Sequence, residues 1–199
     1  MAVNPYLNER ERRILEAARV GIAGAGGLGS NCAMHLVRAG VRHLVLADFD
    51  RVAASNLNRQ FFFRDQIGEK KVEALAENLL RIDPDLDLEL HDLRLDSANL
   101  AGIFTACSIV AEAFDRAEAK AMLLSTLLPL GMPVVAVSGI AGFGRSSAVG
   151  IREIGRKLVM IGDGTSGVDG ELFPSSPRVG IAAAMQANTV IARLLNIDI

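Results

Sequence analysis

The sequence is poor in the residues that mark several classes of protein. Its 199 residues include no tryptophan, one tyrosine and two cysteines, Cys32 and Cys107, which lie far apart. Such isolated cysteines cannot supply a paired CxxC zinc or redox motif. The net charge of −2 and the hydrophobic content of 50% exclude a disordered chain and argue against a general nucleic-acid-binding protein. No apolar run is long enough to span a membrane and the start has no signal-peptide core, so we expect a soluble, cytoplasmic protein.

Apolar runs typical of buried strands alternate with helix-length segments. This alternation predicts an α/β fold, a Rossmann-like, mostly parallel sheet flanked by helices. Two further strands, at 146–154 and 157–161, are expected to add an antiparallel pair in the C-terminal part. Ser97 is expected to cap a short helix ending near Phe104. No linker divides the chain, so residues 1–199 are predicted to form one domain, with an N-terminal helix within 1–18, a crossover-type loop at 162–178 and a last helix from 179.

A glycine-rich loop follows the first predicted strand and precedes a predicted helix. Its glycines have the G-x-G-x-x-G spacing and are Gly24, Gly26, Gly27 and Gly29. Glycines let the backbone turn tightly and approach a phosphate, which the N-terminus of the helix attracts. Asp48 ends the next strand, where a carboxylate can accept hydrogen bonds from ribose hydroxyls. Together these features predict nucleotide binding, by either an NAD-dependent oxidoreductase or an ATP-using enzyme.

The segment after Asp48 favours ATP. It is rich in acids, amides and arginines, and a Rossmann dehydrogenase normally needs no such loop there. A triphosphate under attack needs fixed hydrogen-bond donors and a guanidinium to hold its charge. Lys71, in the first turn of the next predicted helix, can add another cation. The candidate residues in this segment are Asp50, Ser55, Asn56, Leu57, Asn58, Arg59 and Gln60.

These motifs resemble those of the adenylylating enzymes of the ubiquitin-activating superfamily. Within it, the similarity is greatest to the ThiF-like sulfur-carrier adenylyltransferases of thiamine biosynthesis, particularly their short form. The resemblance covers essentially the whole chain, and the S-N-L-x-R-Q element at 55–60 is its most specific piece. It also includes the segments at 48–50, 68–72, 112–115 and 177–188.

The resemblance implies an activity and a set of site residues. Members of the family use ATP and Mg²⁺ to adenylylate the C-terminal glycine carboxylate of a small ubiquitin-like protein, releasing pyrophosphate. The implied partner is a sulfur carrier ending in Gly-Gly. Gly27 is expected at the phosphates and Asp48 at the ribose. Arg59 is the implied principal cation, Lys71 matches the family's lysine, and Asp115 matches its magnesium-binding aspartate, which suits a cation that needs few protein carboxylates.

Three departures from the family pattern change the expectations. Arg116 stands where relatives often have asparagine after the magnesium aspartate, which alters a nucleotide contact but leaves Asp115 available. The paired CxxC motifs of many relatives are absent, so no zinc is expected. The predicted loop at 162–178 contains no cysteine, whereas many relatives carry one there. Cys32 and Cys107 are therefore expected to be packing residues.

The resemblance also implies a homodimer, in which an arginine near the N-terminus reaches the partner's triphosphate. Arg10, Arg12 and Arg13 are candidates, and a plain solvated charged helix is an equal alternative. Neither a nucleic acid nor a membrane is expected as a partner. Three other functions stay open: a catalytically silent partner or scaffold, an enzyme that adenylylates a small-molecule or tRNA-borne carboxylate, and, ranked last, an NAD-dependent oxidoreductase.

Overall fold

Seven strands form a single sheet at the centre of the molecule. The structure is a computed structural model that describes residues 4–167 and 172–199. The strands are β1 (Arg19–Ala23), β2 (His43–Ala47), β3 (Asp87–His91), β4 (Ile109–Glu112), β5 (Val134–Val137), β6 (Gly150–Ile154) and β7 (Leu158–Gly162). The sheet has the order β3-β2-β1-β4-β5-β7-β6, and every neighbouring pair is parallel except β6 and β7, which are antiparallel. The predicted fold class is therefore confirmed.

Helices cover both faces of the sheet. Alternate strand residues point to opposite faces, so the buried strand side chains divide between two apolar clusters. The helices are α1 (Glu9–Ala17), α2 (Gly27–Ala39), α3 (Lys71–Leu80), α4 (Leu100–Phe104), α5 (Ala117–Leu127) and α6 (Ser176–Leu195). The larger cluster includes residues of α1, α2, α3 and α6, and the smaller one includes residues of α4 and α5.

The helix ends follow familiar capping chemistry. Asn8 caps α1 and exchanges hydrogen bonds with Glu11 in a capping box. Gly40 ends α2, and Asn196 ends α6, both in the left-handed conformation. Among the described helices, none combines the length and apolar character needed to cross a lipid bilayer.

Three local expectations from the sequence are wrong. The first strand of the added pair begins at Gly150 rather than at 146, because Ser146–Ala148 form a 3₁₀ turn. Ser97 does not cap α4: the carboxylate of Asp96 accepts the backbone N–H groups of Ala98 and Asn99, and Asn99 directly precedes the helix. The last helix begins at Ser176 rather than at 179, because proline is well suited to the first turn of a helix. Since β7 extends to Gly162, the predicted loop at 162–178 shortens to 163–175. Its residues 168–171 lie outside the described part of the chain.

Candidate functional site

The glycine-rich loop leaves the carboxyl end of β1 and is packed against backbone. Gly24 has φ of +101°, and its N–H donates to the carbonyl of Ala47 at 2.8 Å. A Cβ added at Gly29 would lie 1.8 Å from the carbonyl oxygen of Gly24. A side chain is thus excluded at Gly29, and the loop turns directly into α2. Because Gly26 caps α2 without a side-chain hydrogen bond, the first backbone N–H groups of the helix can receive an anion.

Asp48 lies beside this loop at the carboxyl end of β2. Its Oδ2 accepts the N–H of Ala25 at 2.6 Å, and its Oδ1 accepts the N–H of Asp50 at 2.8 Å. The side chain is half-buried, and burial raises the pKa of Asp48 above its ordinary value although the nearby Lys71 opposes that shift. The carboxylate is therefore held in one orientation between the glycine loop and the loop that follows β2.

Lys71 and Lys70 have different environments although they are adjacent. Lys71, the first residue of α3, is 5% exposed, and its Nζ lies 2.8 Å from Oδ2 of Asp50. Lys70 instead pairs with Asp92 at 2.9 Å and with Glu73 at 3.1 Å. The buried Lys71 ammonium group therefore lies against the exposed carboxylate of Asp50, whereas Lys70 pairs with other carboxylates.

The segment 54–60 forms a short 3₁₀ turn followed by Arg59 and Gln60. Nη1 of Arg59 donates to the carbonyl of Ser55 at 3.1 Å and to Oδ1 of Asn58 at 2.8 Å, so the segment itself orients the guanidinium group. Asn56 accepts the N–H of Ala53 at 3.0 Å, and Leu57 packs against the larger apolar cluster. Asn56 and Leu57 thus shape the turn.

Arg59 and Gln60 bring this segment to the glycine loop. A Cβ at Gly27 would lie 3.5 Å from Cγ of Arg59, and one at Gly26 would lie 3.8 Å from Nε2 of Gln60. Gln60 is 9% exposed, and its Oε1 has no partner among the described residues. The two loops therefore meet at the N-terminus of α2.

Two residues that the sequence did not single out join these loops. Nδ2 of Asn31 donates to the carbonyl of Gly27 at 2.7 Å and to that of Arg59 at 2.9 Å. Oγ of Ser30 donates to the carbonyl of Gly26 at 2.7 Å and accepts the N–H of Phe61 at 3.0 Å. Their only sequence signal was their position directly after Gly29.

Asp115 lies on the turn between β4 and α5. The turn starts beside the glycine loop, since the N–H of Ala113 donates to the carbonyl of Ala23 at 2.9 Å and a Cβ at Gly24 would lie 3.0 Å from the Ala113 carbonyl oxygen. Asp115 and Arg116 are both exposed, and Arg116 directly precedes α5. The structure thus brings Asp115 to the same edge of the sheet as Asp48 and the glycines, where parallel sheets bind their ligands.

Within the described ranges, no three His, Cys, Asp or Glu side chains are grouped closely enough to hold a metal ion. A cavity of about 130 Å³ lies at the opposite edge of the sheet, near Ser108, Pro133 and Lys157 at the amino ends of β4, β5 and β7. Its lining has basic and apolar residues but no carboxylate. The cavity is therefore separate from the candidate site.

Comparison with known proteins agrees with this geometry. Residues 2–198 match the ThiF family. The chain belongs to the ThiF family.

Curated relatives of this ThiF-family chain are longer proteins. The molybdopterin-synthase adenylyltransferase of Escherichia coli is 35% identical over 127 residues, which are 63% of this chain and 51% of that enzyme. The adenylyltransferase and sulfurtransferase UBA4 of Eremothecium gossypii is 28% identical over 92% of this chain and 39% of its own length. The chain thus spans about half or less of the length of these two relatives.

A solved structure confirms the fold. The E. coli tRNA N6-threonylcarbamoyladenosine dehydratase TcdA, in complex with ATP, superposes with a TM-score of 0.86, covering 94% of this chain and 90% of that one. The two chains share 20% sequence identity. With so few identical residues, this superposition shows that the two chains share a fold and no more than that.

The N-terminal arginines of this ThiF-family chain lie on α1. Arg13 is exposed and pairs with Glu9 at 3.1 Å, and Arg10 is also exposed. Arg12 is half-buried, and its Nε is buried without a partner in the described part of the chain. Their role at a second subunit stays a prediction.

Both cysteines are packing residues of the two apolar clusters. Cys32 is 0% exposed on α2, and burial raises the pKa of its thiol far above the usual range. Cys107 is 7% exposed, and burial raises the pKa of its thiol to about 11. Both thiols therefore remain protonated and shielded near neutral pH, which makes them poor nucleophiles.

Proposed function

We propose that this chain uses ATP to adenylylate the C-terminal glycine carboxylate of a small ubiquitin-like sulfur-carrier protein, with release of pyrophosphate. One observation supports this most: the glycine loop, Asp48, the Arg59 segment, Lys71 and Asp115 all lie at the carboxyl edge of a ThiF-family sheet. The relatives described above carry adenylyltransferase names, and a fold neighbour was solved with ATP.

The roles follow from charge and position. Asp48, already fixed by two backbone N–H groups, would accept hydrogen bonds from the ribose hydroxyls. The glycine loop and the first turn of α2 would receive phosphate oxygens. Arg59 and Lys71 would hold charge that develops on the phosphates while the carboxylate of the carrier attacks the α-phosphate. The acyl adenylate forms as the bond from the α-phosphate to pyrophosphate breaks.

The residues present fit a magnesium ion bound together with ATP. Magnesium usually keeps several waters and takes one or two protein carboxylates plus phosphate oxygens, so a single exposed aspartate at the nucleotide edge is a sufficient protein ligand. Asp115 would hold the ion, which supplies charge neutralisation for the triphosphate when bound. The absence of zinc stays a prediction from the missing CxxC motifs.

The identity of the carrier is a finer proposal. The resemblance in sequence favours the carrier of thiamine (thiazole) biosynthesis, whereas the E. coli relative described above bears a molybdopterin name. We propose a carrier ending in Gly-Gly, with the thiamine-type carrier as first choice, and a homodimer in which an N-terminal arginine completes the partner's site. Nucleic acid and membrane are not proposed as partners.

The test is a pyrophosphate-release assay with ATP, Mg²⁺ and a panel of carriers, followed by intact mass measurement for added AMP. The thiamine-type and molybdopterin-type carriers are compared, each also as a variant whose terminal glycine carboxylate is amidated. We expect release only with a free carboxylate, and its loss in Asp115→Asn, a variant of an exposed side chain that should fold normally.

Other outcomes would identify the alternatives. ATP binding by calorimetry without turnover on any carrier would point to a small-molecule or tRNA-borne carboxylate, a class suggested by the name of the fold neighbour. No ATP binding would indicate a scaffold. Quenching of NADH fluorescence on binding would indicate an oxidoreductase. Each of these results would contradict the proposed activity.

A further inference from the structure

A buried ion pair lies beneath the turn that carries Asp115. Glu112, the last residue of β4, is 0% exposed. Nζ of Lys120, on α5, lies 3.0 Å from its Oε1 and 3.1 Å from its Oε2. The Lys120 side chain is 20% exposed, so the pair has one fully buried charge and one that is mostly buried.

Stability alone does not explain a charge at this position. Burial of a carboxylate is expensive, and a buried ion pair is often no more stable than apolar residues of similar volume. Burial raises the pKa of Glu112, and Lys120 opposes that shift. A leucine or methionine pair would fill the same space without this penalty, so the pair needs another explanation.

The hydrogen bonds around Glu112 show what the pair holds. Oε1 of Glu112 also accepts the N–H of Phe114 at 2.7 Å, directly before Asp115. Nε2 of Gln186, a fully buried side chain on α6, donates to the carbonyls of Glu112 and Val135, both at 2.8 Å. The end of β4 is therefore fixed through its main chain by Gln186 and through its side chain by Lys120.

The pair also closes the turn. Glu112 precedes the turn 113–116 and Lys120 follows it on α5, so their contact ties the end of the strand to the helix. The carboxylate of Glu112 bonds the backbone inside the turn at Phe114. A turn restrained at both ends and at its middle presents Asp115 in a narrow range of positions.

We propose that Glu112 and Lys120 are positioning residues for Asp115, holding the turn 113–116 in the geometry that a magnesium–ATP complex needs. The inference rests on the proposed function, in which Asp115 holds the ion. Groups that orient a metal ligand typically change metal affinity or activity by about 10–100-fold when they are replaced. The pair would act on Asp115 through the backbone of Phe114, without contacting ATP or the carrier.

The test measures the affinity for ATP by calorimetry, with and without Mg²⁺ and without any carrier, so that no turnover occurs. In Lys120→Met, the gain in ATP affinity due to Mg²⁺ should fall about tenfold, the lower end of the range for such positioning groups. ATP affinity in EDTA should change less than about twofold, because the groups at the ribose and phosphates are intact. Lys120→Arg, which keeps a cation that can pair with a carboxylate, should restore most of the gain.

A double-mutant cycle distinguishes positioning from a general structural effect. If Lys120 acts through Asp115, Asp115→Asn/Lys120→Met should show no further loss beyond Asp115→Asn alone, because residues acting on one function are not additive. Lys157→Met, at an exposed lysine outside the site, is the matched control and should behave as wild type. Additive losses in the cycle would overturn the inference.

Lys120→Met leaves a buried carboxylate without its cation, so it could fail to fold. Glu112→Gln/Lys120→Met then tests the same contact, because it leaves no buried unpaired charge and keeps an acceptor for Phe114. The increase in ATP affinity that Mg²⁺ gives this double variant should still be smaller than in wild type. An increase equal to that of wild type would overturn the inference. If Asp115→Asn keeps the full Mg²⁺-dependent increase in ATP affinity, the proposed metal role and this inference are both wrong. If Asp115→Asn loses that increase and Lys120→Met keeps it, only this inference is wrong.

Discussion

The packing of Gly29 against the glycine loop makes Gly29→Ala a sharp test of the site. The added methyl would lie 1.8 Å from the carbonyl oxygen of Gly24, 2.9 Å from its carbonyl carbon and 3.1 Å from Cγ2 of Ile22. Optimal contacts between such atoms are about 3.5–4.0 Å. Gly24 cannot easily withdraw, because its N–H is bonded to Ala47 and its φ is +101°.

The expected destabilisation follows from the type of neighbour. An extra methylene in a packed interior costs about 1–3 kcal/mol and occasionally more. Because the obstacle at Gly29 is backbone rather than a flexible side chain, we expect about 3 kcal/mol. The gain of about 0.5–1 kcal/mol from replacing glycine inside a helix offsets part of this. The net loss in the free energy of unfolding should be about 2–2.5 kcal/mol.

Urea unfolding, followed by circular dichroism, measures this loss, and calorimetry measures the accompanying affinity for ATP. Gly102→Ala is the matched control, since Gly102 is an exposed glycine of α4 with nothing within 4 Å of the added methyl. It should be stabilised by up to about 1 kcal/mol and bind ATP normally. The packing argument is refuted if Gly29→Ala unfolds within about 0.5 kcal/mol of wild type, the usual range for harmless surface changes, and binds ATP normally.

Three further predictions concern the chemistry. Arg59→Ala should lower kcat more than it raises KM for ATP in steady-state assays, because its cation is needed most as charge develops; a change in KM alone would contradict that role. ATP affinity measured by calorimetry should fall as the pH decreases, because protonated Asp48 accepts fewer ribose hydrogen bonds. Since burial raises the pKa of Asp48, the fall should begin at a higher pH than for an ordinary aspartate. Asp48→Asn should remove this pH dependence. Cys32→Ala/Cys107→Ala should form the carrier adenylate at a near wild-type rate by intact mass, because both thiols are buried and protonated, and a reducible conjugate of either cysteine with the carrier would refute this.

The strands were predictable because their signal is local. The first two strands end where the sequence predicts, β1 directly before Gly24 and β2 directly before Asp48, since both are buried apolar runs. Helix starts were harder to predict, because several polar residues in a row can act as the cap. Asp96 accepts the N–H groups before α4 where Ser97 was expected to cap it, and Pro177 lies inside the first turn of α6 rather than before it.

The candidate site was predictable only for residues inside recognisable motifs. The glycines, Asp48, Arg59, Lys71 and Asp115 each belong to a short pattern, and the structure brings them to one edge of the sheet. Residues that act through long-range contacts had no such signal. Gln186 bonds the carbonyl of Glu112 across 74 positions of sequence, and Asn31 bonds that of Arg59 across 28. Only the packing of α2 and α6 on the sheet reveals these contacts.

Several buried or half-buried polar side chains bond the backbone at the candidate site. Ser30 and Asn31 bond main-chain groups of the segment that holds Arg59, and Glu112 bonds the N–H of Phe114 in the turn before α5. Gln186 bonds the carbonyl at the end of β4. Unpaired buried backbone groups are costly, so these side chains let irregular backbone remain ordered at the candidate site. Apolar replacements there would relieve a desolvation penalty while they release the loops. Substitutions meant to stabilise this protein without loss of function should therefore be sought on exposed helix positions such as Gly102, where a new side chain meets nothing.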